Sequence, residues 1–156
     1  MQSSVIHTDT LQFVTFKLAG QKYAVDILQV QEINNMREIT TIPNAPSFLL
    51  GAINLRGKVI PVINLRNKFS MPNTESIDAA KIVITDIRGL VAGIMVDSVS
   101  DVLRIPQSVV EPPPQISLNA ASDYITGIAN LETGLIIILD SDKLLGLEEY
   151  NAVNAI

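Results

Sequence analysis

The chain has 156 residues, of which 47% are hydrophobic and 17% charged, and its formal net charge is −5. These values exclude a disordered chain and predict one or two compact domains with a real core. The absence of cysteine excludes disulfides, thiol catalysis and zinc–thiolate sites, and the lack of a basic patch in either half argues against nucleic-acid binding.

The first segments predict a hairpin followed by a third strand. Residues 1–10 are polar and are expected to be flexible. Leu11–Leu18 alternates as a strand does, Ala19-Gly20-Gln21 indicates a turn, and Lys22–Asp26 is expected to return antiparallel. Ile27–Ile33 is expected to hold a helical turn and then a strand.

A second hairpin is predicted after a proline-containing connector. Gly51–Leu55 and Lys58–Asn64 are expected to pair around Arg56-Gly57. Pro61 lies inside the second run, which predicts an edge strand or a bulged one. Leu65–Phe69 is long enough for one helical turn.

The same plan restarts after Met71–Asp78, which is predicted to be a linker. The predicted strands of the second half are Lys81–Asp86, Leu90–Asp97, Val99–Ile105, Tyr124–Leu131 and Leu135–Leu139. A short helix is expected at Asp142–Gly146, with Asp140 or Ser141 as its cap. Residues 147–156 carry little signal and are predicted to be a C-terminal tail.

An internal repeat supports two related halves. Gly51–Leu55 and Gly127–Leu131 both follow the pattern G-x-x-N-L, and each precedes a turn glycine and an aliphatic run. Val25-Asp26 and Val96-Asp97 each end a hairpin strand before another aliphatic strand. Chance matching of aliphatic strands is the alternative. Duplicated short strands with tight turns predict an all-β fold of two small closed barrels, because closure removes exposed strand edges.

The sequence offers no catalytic set. Its single histidine, His7, lies in the polar N-terminal segment, so no Ser-His-Asp arrangement can be built. Asp97 with Asp101, and Asp140 with Asp142, lack the further ligands and spacing of a calcium loop. Turns and helix caps are the expected roles of these carboxylates. We therefore predict a binding protein without enzyme activity, cofactor or metal.

Two charges stand out because of their surroundings. Glu32 lies in a run of aliphatic residues, and Arg56 lies at the tip of an apolar hairpin. They are either ordinary surface charges or, if the fold brings them together, a bidentate pair that holds a loop or meets a partner. Asn54–Lys58 also places two cations beside a glycine, which would suit a phosphate, although the turn needs that glycine in any case.

A set of motifs follows in order along the chain: Val30-Gln31-Glu32-Ile33, Ile42-Pro43-x-x-Pro46, Phe48-x-x-Gly51-x-x-Asn54-Leu55-Arg56-Gly57, Ile60-Pro61-Val62, Leu65-Arg66-x-Lys68-Phe69 and Val96-Asp97-x-Val99-x-x-Val102. From about Phe13 to Leu145, this pattern resembles the CheW family of bacterial chemosensory adaptors. The resemblance implies two intertwined, SH3-like, five-stranded β-barrels around a shared core. It implies one domain over 11–146, with barrels at about 11–70 plus the C-terminal segment and at about 80–140.

The resemblance also implies a function. The chain would join the cytoplasmic tips of methyl-accepting chemotaxis receptors to the regulatory domain of a CheA-type histidine kinase. It would be cytoplasmic and recruited to receptor arrays at the inner membrane, without inserting into the bilayer. Two alternatives stay open: an adaptor of another chemosensory output, such as pilus-based motility, and a small-ligand-binding β-barrel protein that uses the groove between the barrels as a pocket.

By matching position, the resemblance assigns roles to individual residues. The receptor-binding residues would be Glu32, Arg56, Val99 and Val102. The kinase-binding residues would be Val30 and Gly51. Gly93 would be a packing glycine whose replacement damages the groove between the barrels.

Overall fold

The computed structural model describes residues 10–72, 80–113 and 124–155. His7, almost all of the predicted flexible N-terminus and most of the predicted linker lie outside the described residues. The strands are β1 (Thr10–Leu18), β2 (Gln21–Asp26), β3 (Val30–Asn35), β4 (Leu49–Leu55), β5 (Lys58–Asn64), β6 (Lys81–Ile87), β7 (Leu90–Val96), β8 (Ser98–Pro106), β9 (Val110–Glu111), β10 (Ile125–Leu131) and β11 (Gly134–Leu139). The α-helices are α1 (Leu65–Lys68) and α2 (Leu147–Asn154), and 3₁₀ turns lie at Ile27–Gln29, Gln107–Val109 and Ser141–Lys143.

Three hairpins turn on the same two-residue pattern, an L-residue followed by glycine. Ala19, Arg56 and Arg88 have φ of 50°, 52° and 50°, and the glycines after them have φ of 83°, 84° and 91°. Two successive left-handed residues are typical of a type I′ turn, whose twist matches that of the paired strands. The predicted hairpins are confirmed, and their turns are tighter than the three-residue spans expected at 19–21 and 87–89.

The strands form two sheets that exchange a strand. One sheet has the order β8-β1-β2-β11-β10-β9 and the other β3-β6-β7-β5-β4. β3 follows the β1–β2 hairpin but pairs with β6, and β8 follows the β6–β7 hairpin but pairs with β1. Each half of the sequence therefore contributes to both sheets. The chain crosses between the sheets after Asp26 and again after Asp97. The barrel ranges of about 11–70 plus the C-terminal segment and of about 80–140 stay a prediction.

The repeated G-x-x-N-L segments occupy equivalent places in the two sheets. β4 and β10 each begin a hairpin whose second strand pairs in parallel with the second strand of the other hairpin in its sheet. A third segment crosses each of them: Thr40 bridges to Ala52, and Glu111 pairs with Ile128. The same pairing pattern on both sides supports duplication over chance similarity.

The glycine of each repeat permits this third segment to approach. A Cβ added to Gly51 would collide with the carbonyl oxygen of Thr40 and lie 2.6 Å from Cγ2 of Ile39. A Cβ added to Gly127 would lie 2.7 Å from Cγ1 of Val110. Real Cβ atoms do not approach so closely, so both glycines are required by packing.

The core lies on both faces of the central strands. One cluster is shared by the two sheets, and a smaller cluster lies within each sheet. In β6, Val83 and Ile87 belong to the shared cluster, whereas Ile82 and Ile84 belong to the cluster of their own sheet. All four side chains are fully buried. Strands buried on both faces require nearly continuous aliphatic runs, which explains the composition of this chain.

Pro61 is accommodated in a way that its sequence context did not predict. β5 is not an edge strand, because it lies between β4 and β7. The β4–β5 pair does have a bulge next to the proline, but the extra residue is on β4, between Leu49 and Gly51. Pairing with β7 begins at Val62, the residue after the proline. Pro61, which has no N–H, therefore lies where β5 is paired with β4 alone, just before the pairing with β7 begins.

The end of the chain differs from the predicted tail. Leu147–Asn154 is α2, and the predicted helix at Asp142–Gly146 is replaced by the 3₁₀ turn Ser141–Lys143, capped by Asp140. Val153 is buried in the shared core cluster, and the Arg88 guanidinium lies 4.8 Å from the ring centre of Tyr150. α2 has a single buried residue, so its sequence lacks the apolar periodicity that identifies a helix.

A second contact holds α2 through charge. The Lys68 ammonium pairs with the Glu149 carboxylate, and the Lys68 side chain is only 5% exposed. Burial acts to raise the pKa of Glu149, but hydrogen bonds from Lys68 and from the Gly146 N–H outweigh it and hold that pKa below its usual value. The Glu149 carboxylate therefore stays ionised at neutral pH, and its contact with Lys68 ties α2 to α1.

An arginine–aspartate clamp joins the two sheets at one crossing of the chain. Asp97 lies between β7 and β8, and its Oδ1 accepts a 2.8 Å hydrogen bond from Nε of Arg66 in α1. Its Oδ2 accepts a 2.9 Å bond from the N–H of Ala19 in the β1–β2 turn. The Arg66 bond is the main cause that lowers the pKa of Asp97. The clamp thus fixes three separate segments to one carboxylate.

We expect Asp97→Asn to lower the free energy of unfolding by about 1–3 kcal/mol near pH 7, because a charged hydrogen-bond partner of Arg66 is lost. The folded-state pKa of Asp97 is depressed, so its stabilisation is full above the unfolded value of about 3.9 and is lost as the pH falls through the folded pKa. Denaturant unfolding across this range should show the two proteins converging toward acid.

Asp101→Asn is the matched control for this prediction. Asp101 is exposed on β8, and its side chain has no bonded partner in the described part of the chain. It should cost little stability at any pH. If the stability curves of Asp97→Asn and the wild type ran parallel from neutral to acid pH, the clamp would not act through the ionised carboxylate.

Gly93 offers a test of the packing inside one sheet. It lies on β7 between Ile84 of β6 and Val62 of β5, and an added Cβ would lie 2.6 Å from Cγ2 of Ile82. We expect Gly93→Ala to cost about 1–3 kcal/mol of stability through overpacking. The cost should be smaller in an Ile82→Ala background, which removes the clashing methyl, and a double-mutant cycle of chemical unfolding measures the difference. Equal costs in both backgrounds would contradict this origin.

Candidate functional site

Glu32 and Arg56 form an ion pair between the two edges of the five-stranded sheet. Glu32 is on β3, at one edge of that sheet, and Arg56 is in the turn that follows β4, at the other edge. Nη1 of Arg56 donates a 3.3 Å hydrogen bond to Oε1 of Glu32, and Nη2 pairs with Oε2. The bidentate pair therefore bridges the two edges, and we call the line between β3 and the β4–β5 hairpin the seam.

Neighbouring amides and a second arginine support the pair. Nδ2 of Asn34 donates to Oε1 of Glu32 at 3.1 Å. Nη1 of Arg37 donates to the carbonyl of Asn54 at 3.0 Å, and Oδ1 of Asn54 accepts the N–H of Gly57 at 2.9 Å. The asparagine of the G-x-x-N-L pattern thus fixes the turn that carries Arg56, while β3 fixes its partner.

The electrostatics of the pair suit a surface contact more than a structural one. The Arg56 side chain is 70% exposed and that of Glu32 is 30% exposed. The hydrogen bond from Arg56, followed by that from Asn34, lowers the pKa of Glu32, so the carboxylate is ionised at neutral pH. Exposed ion pairs are screened by water and salt and add little stability.

Val99 and Val102 lie on β8 at the edge of the other sheet. Val99 is half-buried against the shared core and pairs with Phe16, whereas Val102 is 52% exposed and pairs with Val14. Val102 is thus available for contact with another molecule. The structure assigns these two valines and the Glu32–Arg56 pair to different sheets.

The strand positions of β3 and β8 are equivalent. Val30 and Val99 pair with Thr85 and Phe16, which each lie three residues before the turn of their hairpin. Ile33 and Val102 lie three residues after Val30 and Val99, so they are equivalent too, and Ile33 is 42% exposed. Two matching edge strands therefore carry an exposed aliphatic residue, one on each sheet.

Val30 and Gly51 have clear packing roles. Val30 is half-buried against the shared core cluster at the start of β3. Gly51 is buried where Thr40 crosses β4. Gly93 contacts Ile82 inside its own sheet. Sequence matching alone did not reveal these contacts, because they depend on which strands become neighbours.

Asn34 and Arg37 were missed as candidate residues. Asn34 is two positions after Glu32 on the same strand, and residues spaced by two share a face. That spacing was the available signal. Arg37 follows the end of β3 and gave no comparable pattern.

One cavity in the described part of the chain is lined by carboxylates that have structural roles. A cavity of about 420 Å³ has Asp26, Asp140 and Asp142 in its lining. Each carboxylate accepts a backbone N–H, from Leu28, Asp142 and Arg88 respectively. Asp140 and Asp142 thus have the predicted cap and turn roles. Within the described ranges, acidic and histidine side chains form no group able to hold a metal ion, and no described helix has the length and apolarity to cross a membrane.

Comparison with known proteins gives consistent results. A family model described as a CheW-like domain matches residues 12–149. A chemotaxis protein CheW from Klebsiella aerogenes is 36% identical over 143 residues, which cover 92% of this chain and 86% of that protein. A chemotaxis protein CheW from Treponema pallidum is 33% identical, with 92% and 87% covered.

A solved structure agrees with the fold. The crystal structure of the scaffolding protein TtCheW from Thermoanaerobacter tengcongensis has a TM-score of 0.81 and 36% identity, and the match covers 89% of this chain and 94% of that one. The intertwined sheets, the exposed ion pair at the seam and these matches lead to one conclusion: the chain belongs to the CheW family and is a coupling adaptor of chemotaxis.

Proposed function

We propose that the chain bridges the cytoplasmic tips of methyl-accepting chemoreceptors and the regulatory domain of a CheA-type kinase. The observation that carries the receptor side is the exposed, bidentate Glu32–Arg56 pair at the seam. A rigidly held charge pair at a surface sets the register of a partner, while the neighbouring apolar side chains supply affinity. Signalling would consist of a change in relative placement of the two partners, without a chemical reaction on this chain.

The equivalent places on the two sheets differ in charge. The β4–β5 turn presents Arg56, but the corresponding β10–β11 turn presents Glu132. β3 carries Glu32, and the matching position on β8 is the exposed acid Asp101. An attractive pair on one sheet is thus matched by two acids on the other. A receptor segment that fits the ion pair at the seam would meet two acids at the equivalent place on the other sheet, which favours binding at the seam over binding there.

The kinase-facing assignment rests on β3 and β4. Val30 begins β3, and Gly51 lets the segment at Thr40 cover β4. We propose that Val30 contacts the kinase directly and that Gly51 acts by preserving the backbone there. The exposed Val102 on β8 would contribute apolar contact to the receptor, with the half-buried Val99 packing behind it.

Arg56→Glu tests the receptor side of the proposal. We expect at least a tenfold loss of receptor capture, because two carboxylates would replace an ion pair at the seam. Stability should change little, since Arg56 is exposed. Co-sedimentation with chemoreceptor-containing membranes, together with thermal unfolding, measures both effects.

Lys143→Glu is the matched control, because Lys143 is an exposed cation in the 3₁₀ turn that follows β11 and forms no ion pair with Glu32. It makes the same change in net charge and should retain receptor capture. If Arg56→Glu captured the receptor at the wild-type level, Arg56 would not be part of the receptor site. Binding of the kinase regulatory domain by both variants provides the check that the rest of the surface is intact.

Val102→Glu tests the apolar contribution of β8. Val102 is 52% exposed, so the substitution should fold, and a charge at the centre of an apolar contact should lower receptor capture by about tenfold or more. Leu135→Glu is the matched control, because Leu135 is 53% exposed on β11, which β1 and β2 separate from β8 in the same sheet. Receptor capture at the wild-type level by Val102→Glu would exclude β8 from the receptor face.

A further inference from the structure

A small cavity opens beside the seam. It encloses about 130 Å³, and its apolar lining consists of Leu55, Ile60, Ile84 and Val91. Three of these side chains are almost completely buried and belong to the core cluster of the five-stranded sheet, and Val91 is half-buried at the entrance. Apolar cavities of about 150 Å³ hold a molecule as large as benzene. The volume therefore suits one aliphatic side chain or a small ring, and we call it the socket.

The rim of the socket is charged. Glu32, Arg56 and Lys58 line it, and Arg37 is close enough to lower the pKa of Glu32 by its charge. Arg56 is neutralised by Glu32, whereas Lys58 is exposed and forms no ion pair with any described residue. The rim thus has two cations, Arg56 and Lys58, against one carboxylate on a chain whose net charge is −5.

We propose that the socket receives one aliphatic side chain of the receptor tip and that Lys58 pairs with a carboxylate beside it. This inference rests on the proposed receptor function of the seam. The matching partner is a helical segment with an aliphatic residue and an acidic residue three or four positions apart, since such residues share one helix face. An apolar anchor in a desolvated pocket, surrounded by a charged rim, is the usual form of an energetic centre in an interface.

The charge complementarity selects this occupant over a second copy of the chain. The exposed aliphatic residue on β8, Val102, has the acid Asp101 beside it but also the cation Arg104 two residues further along. A surface with an excess of cations at its rim attracts an acidic segment and discriminates against one that brings further positive charge.

Filling the socket is the direct test. Val91→Phe places an aromatic ring at the entrance of the socket and should exclude the receptor side chain. Receptor co-sedimentation should fall by at least tenfold, and binding of the kinase domain should be retained. Lys58→Glu should reduce it by about tenfold, and Lys58→Gln should flatten its dependence on salt. Val59→Phe is the control, because Val59 is 67% exposed on the same strand and does not line the socket.

A second measurement does not depend on the stability of any variant. With isoleucine δ-methyl labelling of the wild-type chain, addition of a receptor cytoplasmic fragment should shift the signals of Ile60 and Ile84 and leave Ile136, in the other sheet, unchanged. Wild-type capture by Val91→Phe, or Ile60 and Ile84 signals that respond only to the kinase domain, would overturn the proposal. If Arg56→Glu abolished capture while Val91→Phe did not, the socket would fail and the receptor function would stand. Loss of neither would count against both.

Discussion

The two halves of this chain bury their strands by exchanging one strand with each other. β3 leaves its own hairpin to pair with β6, and β8 leaves its hairpin to pair with β1. The exchange places one core cluster between the sheets and one inside each of them. A half of this length would otherwise present a sheet with one apolar face uncovered, which is costly in water. The clamp at Asp97 lies at one of the two crossings and fixes that geometry.

Local features of the fold could be predicted from the sequence because they depend on neighbouring residues. The turns at Ala19-Gly20 and Arg56-Gly57 are encoded by a glycine between aliphatic runs, and G-x-x-N-L marked the duplication. Sheet membership could not be predicted in this way, since the parallel pairing of β5 with β7 joins strands with no local signal in common. α2 was missed for a related reason: Val153 is its only buried residue, and its remaining attachment comes from side chains such as Lys68 that are distant in sequence.

The candidate site shows the same division. Glu32 and Arg56 were noticeable as charges among aliphatic residues, but their contact depends on the two edges of one sheet approaching each other. Asn34 and Arg37 became visible only as partners in that contact. The seam therefore joins two strands of the fold through the same residues that we propose for receptor recognition. Because the pair is exposed, its removal should affect partner binding more than folding.

Gly51 illustrates how such roles must be separated. The family resemblance places it at the kinase face, yet any side chain there would collide with Thr40. A substitution would displace the segment around Thr40, which covers β4. That segment connects β3, at the seam, to β4, which carries Gly51. Loss of kinase binding in such a variant would report a shifted backbone and would not identify a contact residue. Exposed side chains without a packing role, such as Arg56 and Lys58, are the positions where a binding defect can be read as recognition, because the fold does not depend on them.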